Sequence, residues 1–131
     1  MVMAYVEALT MTDVEFGGLL WKELRGDKTF PANGALWLFD RKPGEWHLLI
    51  ATPRVDQVGA RKAYEVLANV RRRVSADSTQ LLRIELISPK QPLYQALRSV
   101  FGNTASVEGA RLGNTQIGGM YIDDAYLYEI Q

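Results

Sequence analysis

The sequence predicts an α+β fold with a mixed or mainly antiparallel sheet of about five to six strands, packed by about two to three helices. Helical and strand-like apolar spacings follow one another without the regular alternation of a parallel α/β fold. Two pairs of strand-like runs are joined by connections short enough for hairpins. The 131 residues contain no repeat and no linker-like segment, so residues 1–131 are expected to form a single compact domain.

The first helix is predicted to begin at Thr12, because Thr12 and Glu15 have the spacing of a capping box. Apolar residues then recur at helical spacing, and Gly26 is expected to end the helix in a left-handed conformation. The pair Gly17-Gly18 costs about 1 kcal/mol per residue relative to alanine. This cost indicates either close packing against another element or a weak helix. Residues 4–11 are compatible with a strand or with further helical turns.

The middle of the chain predicts a hairpin followed by a long helix. Apolar runs at residues 35–40 and 46–51 are joined by a short loop with proline and glycine, which favours antiparallel strands. Their nearly continuous apolar character predicts central strands that are covered on both faces. A long helix is expected over residues 55–74, and an alternating strand over residues 81–87. A short helix is expected after Pro92.

The last part of the chain is strand-like. Gly113-Asn114 lies between two such runs, residues 107–112 and 115–122, and predicts a two-residue hairpin turn. Asp123-Asp124 indicates a turn or a bulge. Residues 126–130 alternate again and predict a last strand.

Composition excludes several classes of site. The chain has no cysteine and one histidine, which excludes disulfides, thiol nucleophiles, thiolate zinc sites and histidine-rich metal clusters. The glycines do not form a phosphate-binding loop, so no cofactor is expected. The formal net charge is 0, which argues against a strongly electrostatic partner for the whole molecule. No apolar run reaches the ~18 residues of a membrane span, and the first residues lack the basic region of a signal peptide. A cytoplasmic protein without a membrane partner is expected.

The catalytic candidates are His47, Asp40, Asp123, Asp124 and Glu129. His47 and Asp40 face each other if the hairpin register allows it, although no serine or threonine is tied to them by spacing. The acidic candidates, with Glu85 on another strand, are the carboxylates available for Mg²⁺ or Ca²⁺. Adjacent aspartates on a strand point to opposite faces, however, so a solvated turn between two strands is the favoured explanation. No catalytic or metal-binding residue is therefore assigned.

A basic cluster is predicted on the long helix, formed by Arg61, Lys62, Arg71, Arg72 and Arg73. Such a cluster could engage phosphates or an acidic protein surface. The alternative is that the three arginines stabilise the carboxyl end of the helix, by ~0.3–1 kcal/mol each. Consecutive helical residues are spread around the axis, so they cannot form one flat face.

Tyr126 and Tyr128 are expected to share one face of the last strand with Ile130. They could anchor a protein interface or stack on bases, and if the last strand is an edge it could accept a partner's strand. The alternative is that they belong to the core. The sequence thus predicts a non-enzymatic binding or accessory domain that acts through protein–protein contacts, self-association included. The first alternative is nucleic-acid binding by the basic helix, and the second is a metal-dependent hydrolase or nuclease.

Overall fold

The structure is a computed structural model that describes residues 8–74, 83–102 and 107–131. Its elements are α1 (Met11–Gly26), β1 (Gly34–Asp40), β2 (Glu45–Ala51), α2 (Arg54–Val58), α3 (Ala60–Val74), β3 (Ile84–Ile87), α4 (Pro92–Phe101), β4 (Ala110–Ile117) and β5 (Met120–Ile130). The predicted α+β fold is confirmed. The described residues contain one five-stranded sheet and four helices, one helix more than predicted.

The sheet is mixed and mainly antiparallel, with the strand order β3-β2-β1-β5-β4. Only the β2–β3 pair is parallel. Helices α1 and α3 pack on one face, which we call the α1–α3 face, against a cluster that includes Trp37, Trp46 and Leu48. Helix α4 packs on the other face, the α4 face, against a cluster that includes Leu36 and Leu49. Strands β1 and β2 are therefore central and covered on both faces, as their apolar runs predicted.

Helix α1 begins two residues earlier than predicted. Thr10, not Thr12, is the N-cap, and it forms a capping box with Asp13 rather than with Glu15. The Asp13 N–H donates to Thr10 Oγ1 at 3.1 Å, and the Thr10 N–H donates to Asp13 Oδ2 at 3.1 Å. The sequence allows a capping box at Thr10 and Asp13 or at Thr12 and Glu15. Asp13 also pairs with Arg83 at 2.6 Å, and this long-range contact cannot be read from the local sequence. The helix ends at Gly26 as predicted, but the expected left-handed conformation of Gly26 is wrong, because the chain leaves the helix through an extended C-cap at Asp27.

The glycine pair of α1 is explained by close packing. A Cβ at Gly17 would lie 2.3 Å from Tyr128 Oη and 2.8 Å from Trp37 Nε1. Real Cβ contacts do not come so near, so this turn of α1 lies on the sheet at a distance that only glycine permits. Of the two alternatives from the sequence, close packing is the correct one.

The predicted long helix over residues 55–74 is two helices. Gly59 has φ 86°, which is outside the helical region, and it separates α2 from α3. A glycine takes this conformation without the steric cost that a Cβ would impose. Residues 81 and 82, the start of the strand predicted over residues 81–87, lie outside the described residues, as do residues 4–7.

The turn of the last hairpin is Gly118-Gly119, not Gly113-Asn114. These two glycines have φ 56° and 79° and join the cross-strand pair Ile117–Met120. Positive φ at both central residues is what a tight two-residue hairpin turn requires. Gly113 and Asn114 lie inside β4, with φ 46° at Asn114, and Asp123-Asp124 lies inside β5 rather than at a turn.

The last strand is internal, because β5 lies between β1 and β4. Its register with β1 shifts where Leu36 pairs with Leu127 and Ala35 pairs with Glu129. The extra residue is Tyr128, and this bulge moves Ile130 to the α4 face while Tyr128 packs on the α1–α3 face. The prediction that Tyr126, Tyr128 and Ile130 share one face of the strand is therefore wrong for Ile130. Among the described strands, β3 and β4 lie at the edges of the sheet.

Candidate functional site

A cleft of about 500 Å³ opens at one end of the sheet, where the β1–β2 turn and the start of β5 meet. Its apolar lining comes from four strands and from α4: Leu38, Leu49, Ile87, Leu93 and Ile122. Charged and polar side chains also line it: Asp40, Arg41, Lys42, His47, Glu85 and Asp123. Tyr121 adds an aromatic ring, whereas Phe39 borders the cleft but turns its ring to Trp46 on the α1–α3 face, with the ring centres 5.5 Å apart. We refer to this feature as the cleft.

The cleft exists because α4 covers only one end of the α4 face of the sheet. The Tyr94 hydroxyl of α4 donates to the carbonyl of Gln131 at 2.9 Å, next to the residues that pair with the start of β1. Tyr94 and Leu97 are fully buried there. At the opposite end, Leu38 and Leu93 are only partly buried, so apolar surface is left accessible beside the β1–β2 turn.

His47 lies on the wall of the cleft between two carboxylates. Its Nε2 is 3.1 Å from Glu45 Oε2, and its Nδ1 is 3.6 Å from Glu85 Oε2. The predicted pairing with Asp40 does not form, because the hairpin register places His47 opposite Leu38 and Asp40 opposite Glu45. Since both ring nitrogens face a carboxylate, His47 links the ends of β2 and β3.

The two adjacent aspartates of β5 are each paired with a different arginine. Asp123 pairs with Arg41 at the edge of the cleft. Asp124 accepts two hydrogen bonds from Arg111, at 2.7 and 2.8 Å. These bonds raise the pKa of the Arg111 guanidinium, which also lies 5.2 Å from the centre of the Trp46 ring. The aspartates therefore balance local positive charge and do not converge on one point.

The remaining acidic candidate, Glu129, lies away from the cleft. It accepts a hydrogen bond from Trp21 Nε1 at 3.3 Å and pairs with Arg25 at 3.3 Å. In the part of the chain that the structure describes, no three His, Asp or Glu side chains are grouped so that they could hold a metal ion. Of the catalytic candidates, the structure brings His47, Asp40 and Asp123 to the cleft, and it leaves Asp124 and Glu129 elsewhere.

Two of the tyrosines of β5, Tyr126 and Tyr128, pack beneath α1. Tyr128 is 6% exposed, and its hydroxyl donates to the Val14 carbonyl at 2.6 Å and accepts from Trp37 Nε1 at 3.0 Å. Burial raises the pKa of Tyr128 well above its ordinary value. Tyr126 is half-buried, with its ring centre 5.3 Å from that of Tyr128. The structure thus places this pair within the packing of the α1–α3 face, and their role as interface anchors stays a prediction.

The five basic residues expected to form a patch are Arg61, Lys62, Arg71, Arg72 and Arg73. Arg71 is only 4% exposed, whereas Arg72 is exposed and donates to Asn69 Oδ1 at 3.0 Å. Arg73 pairs with Asp27 at 3.1 Å and so connects α3 to the end of α1. The residues diverge because each helical position is rotated by about 100° from the last. Arg71 is thus turned inward, whereas Arg61 and Arg72 lie on nearly the same side of α3. The five residues do not form one patch, and nucleic-acid binding stays a prediction.

Sequence reasoning missed the cleft as a unit. The sequence held one indication of it. Glu85 alternates with Ile84 and Leu86, which are buried, so its side chain is expected on the face of the sheet opposite α3. The contributions of Leu93 and Tyr121 depend on the strand order and on the placement of α4, which no local pattern reveals.

No described helix is long and apolar enough to cross a membrane. Comparisons with protein-family models, with curated proteins and with solved structures give no match to this chain.

Proposed function

We propose that this chain is a binding domain whose recognition site is the cleft, and that the occupant is a small organic molecule with an apolar body and a polar head. The observation that carries the proposal is the combination of an apolar lining with a few charged groups in a space of about 500 Å³. Small-molecule sites in proteins are concave, mostly apolar and of about 300–1,000 Å³. The cytoplasmic location expected from the sequence is kept as part of the proposal.

The chemistry of the lining favours binding over catalysis. A general base needs a ring nitrogen that is turned towards a substrate, and each nitrogen of His47 is turned towards a carboxylate, Glu45 Oε2 at 3.1 Å or Glu85 Oε2 at 3.6 Å. The described lining includes no serine, threonine or cysteine that could act as a nucleophile. The side chains of the cleft can therefore orient a ligand more readily than they can transform it.

The apolar lining sets the expected affinity. A phenylbutyl group that buries on the order of 150 Å² of apolar surface gains about 4 kcal/mol before any contribution of its head group. A free energy of this size corresponds to a dissociation constant of about 1 mM. Titrations should therefore extend into the millimolar range.

The test uses three probes that share this body and differ in the head: 4-phenylbutan-1-ol, 4-phenylbutylamine and 4-phenylbutyric acid. Isothermal titration calorimetry on the whole chain is expected to give saturable binding of at least one probe. The variant Leu93→Trp adds bulk to the cleft and should abolish that binding. Leu19→Trp is the matched control, because Leu19 is 55% exposed on α1 and does not line the cleft. No saturable binding of any probe, or binding unchanged by Leu93→Trp, contradicts the proposal.

Self-association through β4 is a second candidate, and it keeps the protein–protein contact predicted from the sequence. Strand β4 pairs with β5 on one side, and no described strand pairs with its other edge. Its one charged residue is Arg111, and charged side chains are a common protection of exposed edges. Two copies joined edge to edge across a two-fold axis would give one continuous sheet.

Sedimentation equilibrium over a wide range of protein concentration tests this candidate. Gln116 is exposed near the end of β4, and a centred antiparallel pairing places it opposite Arg111 of the second copy. Gln116→Lys should therefore weaken the dimer by placing like charges opposite each other. Gln57→Lys makes the same change on the exposed α2 and should have no effect. A monomer at every concentration eliminates the candidate.

A further inference from the structure

We infer that the head group bound in the cleft is a cation, an ammonium group carried by the apolar body. This inference rests on the proposed function, since it names the class of molecule that the same cleft would select. Three features of the cleft support a cationic head: the balance of charge around it, the pairing of these charges, and the ring of Tyr121.

Negative charge predominates at the cleft. Asp40, Glu85 and Asp123 line it, and Glu45 stands behind His47, 3.1 Å from its Nε2. The positive charge of the lining comes from Arg41 and Lys42. Four carboxylates against these two cations leave a formal charge of −2 with neutral His47, or −1 with a protonated one. The start of α4 adds about half a positive charge, which does not reverse the sign.

Glu85 is the carboxylate with the most unused capacity. Asp123 is held by Arg41, and Glu45 lies within hydrogen-bond distance of His47. Glu85 Oε2 is 3.6 Å from His47 Nδ1, which is longer than a hydrogen bond, and the Glu85 side chain is 54% exposed. A carboxylate accepts up to about four hydrogen bonds, so Glu85 can accept from an ammonium group without giving up its place beside His47.

The aromatic lining suits the same head group. Tyr121 lines the cleft, and its hydroxyl donates to Asn114 Oδ1 at 2.8 Å. The Phe39 ring packs on Trp46 on the α1–α3 face and does not contribute. Aromatic faces attract cations within about 6 Å of the ring centre, and they offer nothing comparable to a carboxylate. Carboxylates together with the Tyr121 ring thus favour an ammonium head over an anionic one.

The three phenylbutyl probes separate this inference from the proposed function, because only their head groups differ. At pH 7 and low salt, the amine is expected to bind tightest and the acid weakest, with about a tenfold difference between these two. Raising the salt concentration to about 1 M should reduce the advantage of the amine, since the carboxylates are partly exposed.

The variant Glu85→Gln keeps the shape of the side chain and removes its charge. It should weaken binding of the amine by about threefold to fivefold, as expected for a partly exposed ion pair, and leave binding of the alcohol unchanged. Glu65→Gln is the matched control, because Glu65 is exposed on α3 and does not line the cleft. Thermal melting of both variants checks that each remains folded.

The outcomes are distinct. If the acid or the alcohol binds as tightly as the amine, or if Glu85→Gln leaves binding of the amine unchanged, the cationic head is wrong while the proposed function stands. If no probe binds in the cleft, both are overturned. A tighter amine whose advantage falls in Glu85→Gln but not in Glu65→Gln supports the inference.

Discussion

At the scale of single residues, Gly17 determines how closely α1 approaches the sheet. Its missing side chain leaves room for Tyr128, whose hydroxyl connects Trp37 Nε1 to the Val14 carbonyl. Glycine inside a helix costs about 1 kcal/mol relative to alanine, and each buried hydrogen bond contributes about 0.5–1.5 kcal/mol. The close contact therefore offsets the cost of the glycine.

Replacing Gly17 by alanine should destabilise the fold by about 1–3 kcal/mol, because the new methyl group would collide with Tyr128 and Trp37. Urea denaturation measures the change. Gly18→Ala is the control, since a Cβ there would lie 3.6 Å from the Tyr128 ring, an ordinary contact. It should be neutral or stabilise by up to about 1 kcal/mol. Equal effects of the two substitutions would refute the account of this contact.

At the scale of elements, ion pairs join α1 to its neighbours. Arg83 pairs with Asp13 at the start of α1, and Arg73 pairs with Asp27 just after its end. Burial by itself would raise the pKa of Asp13, but hydrogen bonds from Arg83 and Thr10 lower it overall. Hydrogen bonds from Thr29, and then the contact with Arg73, lower the pKa of Asp27. Both carboxylates are therefore more acidic in the folded chain.

The lowered pKa of Asp27 predicts a pH-dependent contribution to stability. A carboxyl group with a lowered pKa stabilises the folded state above its unfolded pKa, and this contribution is lost as the pH falls through the folded value. Asp27→Asn should therefore be less stable than the unaltered chain at pH 7, with a difference that shrinks below about pH 4. Chemical denaturation at a series of pH values measures it. A difference that stays constant down to about pH 2 would contradict this assignment.

The elements that the sequence predicts correctly are those set by local patterns. The β1–β2 hairpin follows from two apolar runs and a short loop, and these strands are where expected. The last hairpin is different, because Gly113-Asn114 and Gly118-Gly119 both suit a turn. The choice depends on tertiary contacts such as that of Gly118, where a Cβ would lie 2.9 Å from the Ala96 Cβ on α4.

At the scale of the whole molecule, the cleft results from the arrangement of the layers. Helix α4 is held over one end of its face, and the hairpin turn, β3 and the start of β5 surround the other end. The side chains that line it are scattered from Leu38 to Asp123 in the sequence, and only the strand order brings them together. For this reason the candidate site could not be predicted from spacing, although His47, Asp40 and Asp123 were recognised individually.

The most direct test of the central claim is to locate the bound probe by NMR. Amide chemical shifts of the ¹⁵N-labelled chain are followed while 4-phenylbutylamine is added. The account predicts saturable shifts that cluster at Leu49, Ile87 and Leu93, around the cleft. Residues beneath α1, such as Trp37 and Tyr128, should not shift. Saturable shifts centred on the α1–α3 face, or no saturable shifts at all, would contradict a ligand site in the cleft.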